Sequence, residues 1–300
     1  MLKSTRIKLT KVCIYGIFLL LNFYKKRVNK MLFKTNFHTH TKYCDGKNLP
    51  REIVEKAVEL GFSALGFSGH AYTPPEPEYS MLFEDTEKYK KEILALREEY
   101  RGVLDIYCGI EMDYYSEENT KDFDYVIGSV HYLERDGAYY NVDGSPERFA
   151  KATEAFDGDV YSLVEAYYDA VADVVRKTDA DIIGHFDLIT KFNENEDLFS
   201  TKHPRYVAAV EKALSALIPT GKIFEINTGA MARGYRKNPY PSLDILKKLC
   251  ARGAKLLLTS DCHDVVNLDF GFEEVLSSEV GKLAGNNLIK NIAEIPFIKK

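Results

Sequence analysis

From Lys34 onward seven short apolar runs alternate with amphipathic stretches, and that alternation confines the chain to strand–helix units around a mostly parallel sheet. The apolar runs fall at 35–38, 64–68, 104–110, 125–130, 181–184, 223–227 and 255–259, and the helical stretches at 50–60, 86–100, 160–177, 204–218, 242–251 and 272–283. Pro50 and Pro204 suit a first helical turn, and Gly61, Gly102 and Gly253 fall where a helix should stop. Residues 132–159, with Gly137, Gly144, Pro146 and Gly158, read as a long excursion over the surface, of a length usually functional or mobile. No dinucleotide glycine fingerprint follows the first run, so a barrel-like α/β domain is expected rather than an open doubly wound sheet.

Three hundred residues with 45% hydrophobic content suffice for a large core. A net charge of −5 argues against a chain whose main task is to hold nucleic acid, because phosphate-backbone affinity comes from clustered Lys and Arg, and leaves room for a local basic pocket. Five cysteines without framework spacing point to free thiols in a reducing, cytoplasmic setting. The first thirty residues differ from the rest: Lys3, Arg6, Lys8 and Lys11 precede an apolar run at 12–24, and Lys25, Lys26, Arg27 and Lys30 follow it. As a helix that run spans about 20 Å, short of a hydrocarbon core of about 30 Å, and no small-residue cleavage site follows. The expected domain is therefore 31–300. Residues 1–30 are an extension that either precedes a natural start at Met31 or rests weakly on a membrane.

The polar residues that matter sit where the apolar runs end. His38 and His40 follow the first run, His70 the second, Glu111 closes the third, His131 the fourth and His185 the fifth; Asp261 and His263 follow the seventh. In a parallel barrel all these ends open on one face, so six of the seven histidines converge there. Histidine and carboxylate together suit zinc, iron or manganese. Glu111 and Asp261, next to apolar strands, need cationic partners if buried. His203, before Pro204, is assigned no role. Cys44, Cys108 and Cys262 lie near the candidate ligands but read as small buried thiols.

His38-Thr39-His40, Asp45, His70, Gly109-Ile110-Glu111, Gly128-Ser129-Val130-His131, Gly184-His185 and Asp261-Cys262-His263 resemble, in order, the metal-binding motifs of the PHP (polymerase and histidinol phosphatase) superfamily. Cys44-Asp45-Gly46, Gly66-Phe67-Ser68-Gly69-His70 and the stretch from Glu225-Ile226-Asn227-Thr228-Gly229 to Pro241-Ser242 are most similar to its histidinol-phosphatases. The resemblance runs from about Phe33 to about Glu274. It implies a distorted (β/α)7 barrel with three divalent metal ions at the strand C-terminal face. His38, His40, Glu111 and Asp261 would hold one ion; Asp45, His70 and His263 a second; Glu111, His131 and His185 a third, with Glu111 bridging. Some members have histidine in place of Asp45, and a carboxylate there suits a hard or borderline ion.

The implied reaction is hydrolysis of a phosphomonoester, L-histidinol phosphate, by a metal-bridging hydroxide, as a step of histidine biosynthesis. Arg233 is expected to fork onto the phosphate, with Arg236 and Lys191 as further substrate-binding candidates. Asp261, His263 and Arg233 are the expected catalytic residues; the proton for the leaving group could come from water, Asp261 or a ligand histidine. Two other readings stand beside this one: a PHP phosphoesterase acting on a nucleotide or phosphotyrosine, and a PHP module that performs no catalysis.

Overall fold

The structure is a computed structural model that describes residues 34–297. The extension expected at 1–30 lies outside the described residues. Seven parallel strands form one sheet: β1 (Thr35–Asn36), β2 (Ala64–Phe67), β3 (Asp105–Asp113), β4 (Tyr125–Ser129), a fifth at Ile182–Ile183, a sixth at Ile223–Asn227 and a seventh at Lys255–Thr259, neighbours in chain order. At the C-terminal rim the seventh strand returns to the first. The N–H of Cys262 donates to the His38 carbonyl (3.0 Å), and the N–H of His40 donates to the Cys262 carbonyl (2.8 Å). The sheet is thereby a nearly closed barrel, with helices packed outside it.

Helices α1 (Pro50–Glu59) and α2 (Phe83–Glu99) follow the first two strands, and long helices at Val160–Thr178 and Pro204–Leu217 pack together on the far side. Their inward positions, such as Leu163, Val164, Tyr167, Val171 and Val174, are buried at helical spacing, as an amphipathic helix against a sheet requires. The barrel interior holds an aromatic plug. Tyr125 is fully buried there and donates its hydroxyl to the carbonyls of Phe37 (2.6 Å) and Phe67 (2.9 Å). Gly66 and Gly109 make room for it, since a Cβ on either would run into the Tyr125 side chain.

The expected elements are present with shifted bounds. The third strand continues to Asp113, so Glu111 lies within a strand instead of closing it. The stretch 272–283 breaks at Ser278 into two short helices, because the Ser278 side chain caps the second of them. The excursion at 132–159 carries structure of its own, an antiparallel hairpin of Tyr132–Arg135 with Ala138–Asn141 and a helix at Pro146–Ala155. Asp136 and Gly137, both at positive φ, form its two-residue turn. Among the described residues no helix is long and apolar enough to cross a membrane.

Candidate metal centre

The nine expected ligands come from six strand ends and the loops behind them, and the fold gathers them into one cluster, buried around His38, His40, Glu111, His185 and Asp261 and open to solvent at Asp45. Four overlapping groups have ligand atoms within 4.8 Å of one another: His40, Asp45, His70 and His263; His38, His40 and Asp261; His38, Glu111 and His185; His70, Glu111 and His131. Together they contain all nine. In the expected sets only Glu111 is shared, whereas here His38, His40 and His70 also belong to two groups each.

Glu111 sits at the centre. Its Oε2 lies 3.1 Å from His38 Nε2, 3.4 Å from His40 Nε2 and 3.1 Å from His70 Nδ1. Its Oε1 lies 3.2 Å from His185 Nε2 and 3.8 Å from His131 Nε2, and accepts from the Ser129 hydroxyl at 2.6 Å. Asp261 Oδ1 completes one side, 3.5 Å from His38 Nε2 and 3.3 Å from His40 Nε2. Asp45 Oδ2 lies 3.1 Å from His263 Nε2 and 3.8 Å from His70 Nε2.

These spacings test whether the residues fit metal ions. Ligand atoms at about 2.1 Å in a tetrahedral array stand about 3.4 Å apart, close to the separations around Glu111 and Asp261. His38 Nε2, His40 Nε2 and Glu111 Oε2 are buried and lack a hydrogen-bond partner although they face one another. Native proteins rarely leave buried polar atoms so, and a divalent cation satisfies all three. The donor set of imidazoles and carboxylates fits.

Burial alone would raise the carboxyl pKa values, but neighbouring charge wins. Glu111 is drawn well below the ordinary carboxylate range by His38 and His70, and Asp261 by Arg233 and His38. Asp45 is likewise lowered, by His263 and His70. Burial pushes His70 down to about 3, against the pull of Glu111 and Asp45. For His131, the hydrogen bond to Asp113 and the charge of Glu111 outweigh burial and raise it to about 9.

The backbone serves the same end. Asp261 takes a left-handed conformation (φ 47°), which turns its side chain back into the barrel mouth. Gly229 must lack a Cβ there, because one would stand 2.7 Å from the Asp261 carboxylate.

Of the expected phosphate-binding residues, Arg233 and Lys191 line the cleft above the cluster, a cavity of about 250 Å³. Arg233 Nη2 donates to Asp261 Oδ2 at 2.9 Å, and its Nη1 lies 3.1 Å from His263 Nδ1. Lys191 Nζ pairs with Asp143 Oδ2 at 3.0 Å. Arg236 does not reach that cleft. It is buried behind the wall, where it donates to the Thr190 and Asn238 carbonyls and lies over the Tyr240 ring. The tight turn through Gly234 (φ 75°) sends Arg233 and Arg236 to opposite sides. Cys44 lies 3.6 Å from His40 Nδ1 but belongs to none of the ligand groups. His203, stacked on Tyr161 at 3.8 Å, caps a helix by accepting from the N–H of Arg205.

Glu225 and Asp113 escaped the sequence reading. Glu225 Oε1 lies 2.7 Å from His38 Nδ1, and its Oε2 accepts from the N–H of His185 at 3.0 Å. Asp113 Oδ2 accepts from the N–H of His131 at 2.7 Å and lies 3.3 Å from its Nδ1. Such carboxylates fix the tautomer of a metal-binding histidine. The signal was available, since a carboxylate in the apolar run Ile223–Asn227 calls for a partner as Glu111 does.

Comparison with known proteins agrees with this geometry. The PHP domain family model matches residues 36–229. A protein of Deinococcus radiodurans named "Probable histidinol-phosphatase" is 32% identical over 265 residues, covering 84% of this chain and 94% of that protein. The "Histidinol-phosphatase" of Bacillus subtilis is 27% identical, covering 81% and 98%. Among solved structures, histidinol phosphate phosphatase from Lactococcus lactis subsp. lactis Il1403, complexed with zinc, L-histidinol and phosphate, superimposes with a TM-score of 0.61 at 23% identity, covering 84% of this chain and 94% of that one. The chain belongs to the PHP domain family, among its histidinol-phosphatases, and is a metal-dependent phosphoesterase of that kind.

Proposed function

We propose that the chain hydrolyses L-histidinol phosphate to L-histidinol and phosphate, as a step of histidine biosynthesis. The observation that carries this reading is the placement of Arg233 beside the cluster centred on Glu111, at the base of a cleft of about 250 Å³ that suits a small ester. The substrate itself is taken from the relatives, two of which are named for this activity. The four free cysteines among the described residues accord with a cytoplasmic location.

His38, His40, Asp45, His70, Glu111, His131, His185, Asp261 and His263 would hold three divalent ions, of zinc, iron or manganese. Such ions supply charge neutralisation for a phosphoryl group and a water of lowered pKa. The protein's own part is positioning. Arg233, held by Asp261 through Nη1 and Nη2, offers its remaining guanidinium N–H groups to phosphate oxygens. Lys191 supplies a second cation at the cleft wall. Asp261, drawn well below the carboxylate range, remains an anion and is suited to hold a cation or accept a proton rather than donate one. His263, partly exposed between Asp45 and Arg233, is the residue we place beside the leaving oxygen.

The test is phosphate release by metal-loaded protein from L-histidinol phosphate, a nucleoside bisphosphate, a phosphotyrosine peptide and p-nitrophenyl phosphate, with His131→Ala as control. A kcat/KM for L-histidinol phosphate about a hundredfold above the others and lost in the variant supports the assignment. Comparable low rates on all four would remove the substrate, and no release with metal bound would favour a non-catalytic module.

A further inference from the structure

Five carboxylates line the cleft: Asp45, Glu111, Asp113, Asp143 and Asp261. Three belong to the metal cluster. Asp113 is committed, its Oδ2 accepting from the N–H of His131 and its Oδ1 from the N–H of Tyr115 at 2.8 Å. Asp143 differs. One oxygen, Oδ2, accepts from Lys191 Nζ at 3.0 Å, and Oδ1 accepts no hydrogen bond among the described residues. The side chain is 16% exposed and lies on the cavity wall.

The position of Asp143 is built. It lies just past the hairpin of the excursion, where Asn141 Oδ1 accepts from the N–H groups of Asp143 (3.0 Å) and Gly144 and fixes the turn. Asn141 Nδ2 in turn donates to the Tyr79 hydroxyl at 3.3 Å, and Tyr79 and Tyr132 both donate to Glu76. Lys191, which holds the carboxylate from the other side, lies 4.8 Å from the centroid of the Tyr235 ring. The excursion therefore delivers a carboxylate to the cleft on a braced turn.

A carboxylate with no part in metal binding works against a phosphate dianion in the same cleft. Lys191 at Oδ2 offsets that charge, and Oδ1, with no hydrogen-bond partner among the described residues, can pair with a cation travelling with the phosphate. We infer that Asp143 Oδ1 receives a cationic amine on the alcohol half of the ester, so that the cleft selects phosphate monoesters of amino alcohols. Lys191 holds Oδ2, and Oδ1 accepts no hydrogen bond among the described residues. The inference rests on reading the cleft as a phosphoesterase site and assigns the residue that determines specificity within it.

The experiment compares kcat/KM of metal-loaded wild type, Asp143→Asn and Asp143→Ala on two pairs of esters: L-histidinol phosphate with its Nα-acetyl derivative, and O-phosphoethanolamine with ethyl phosphate. Hydrogen bonds between charged groups predict that wild type prefers the free amine, mainly through KM, and that Asp143→Asn lowers the preference about ten- to a hundredfold. A preference that persists in both variants, or that wild type lacks, overturns the inference. Wild type that ignores L-histidinol phosphate but prefers O-phosphoethanolamine through Asp143 keeps this subsite and removes the substrate proposed above. Wild type active on L-histidinol phosphate and equally on its acetyl derivative does the reverse. For variants too slow to assay, calorimetric binding of L-histidinol to the loaded protein decides: about tenfold weaker binding in Asp143→Asn supports the subsite, and unchanged binding overturns it.

Discussion

Nδ1 of His38 lies 2.7 Å from Oε1 of Glu225, and both side chains are sealed from solvent. The contact places the proton on Nδ1 and leaves Nε2 facing Glu111 and Asp261. Because Glu225 also accepts from the N–H of His185, one buried anion steadies two of the ligands that meet Glu111. Removing its charge while keeping its shape weakens that support. Glu225→Gln is expected to lower metal affinity about ten- to a hundredfold, read by chelator competition. Affinity equal to wild type would remove Glu225 from the metal site's support.

Protons compete with metal for these ligands. In protein stripped of metal, His131 is raised from about 6.5 to about 9, and His38 and His40 also stand well above the ordinary value. For each the opposing effect is burial; nearby carboxylates prevail, Glu225 and Glu111 for His38, Asp261 and Asp45 for His40. A metal ligand must be neutral imidazole, so ion uptake at pH 7 to 8 displaces protons. The sign follows: affinity climbs as pH rises towards 9 and levels off above the pKa values. A lightly buffered titration of stripped protein with manganese or zinc should release at least one proton at pH 7. Uptake without proton release would show that the histidines are already neutral.

Much of this was legible in the sequence because the barrel imposes its own logic. Residues as far apart as His38 and His263 were expected on one face from the strand ends alone, and they meet Asp45 and His40 there. What escaped depends on local geometry that spacing does not encode. Arg233 and Arg236 are three residues apart, yet a turn at Gly234 parts them. Asp143 reaches the cleft through the long surface excursion, whose internal structure spacing left unread although Asp136-Gly137 between alternating residues is a hairpin signal. Glu225 hides in an apolar strand, where its partner His38 lies 187 residues away in the chain.

The aromatic plug makes a separate demand on stability. At Gly109 an added Cβ would press into the Tyr125 ring, whose hydroxyl is anchored to the Phe37 and Phe67 carbonyls and loses those contacts if the ring swings away. Overpacking of this kind costs about 1–3 kcal/mol. Gly109→Ala is therefore expected to lower Tm by about 4–10 °C. Thermal melting of stripped protein isolates this effect from metal binding; an unchanged Tm would mean that the plug repacks freely.

In the proposed site Arg233 stands between the cluster around Glu111 and the phosphate. Its fork lies against Asp261, 2.9 Å from Oδ2, with its other terminal nitrogen 3.1 Å from His263, so the guanidinium is oriented before any phosphate arrives. Burial opposes its charge, but Asp261 holds its pKa above the ordinary value. Loss of a preoriented charged donor is expected to lower kcat/KM about a hundredfold in Arg233→Met. Arg233→Lys retains the charge without the fork and should recover only part of that, because an ammonium reaches one oxygen where the guanidinium reaches two. Equal activity in both variants would assign phosphate binding to Lys191 instead. Lys191→Met would then show the loss, since Lys191 is the other non-histidine cation on the cleft wall among the described residues.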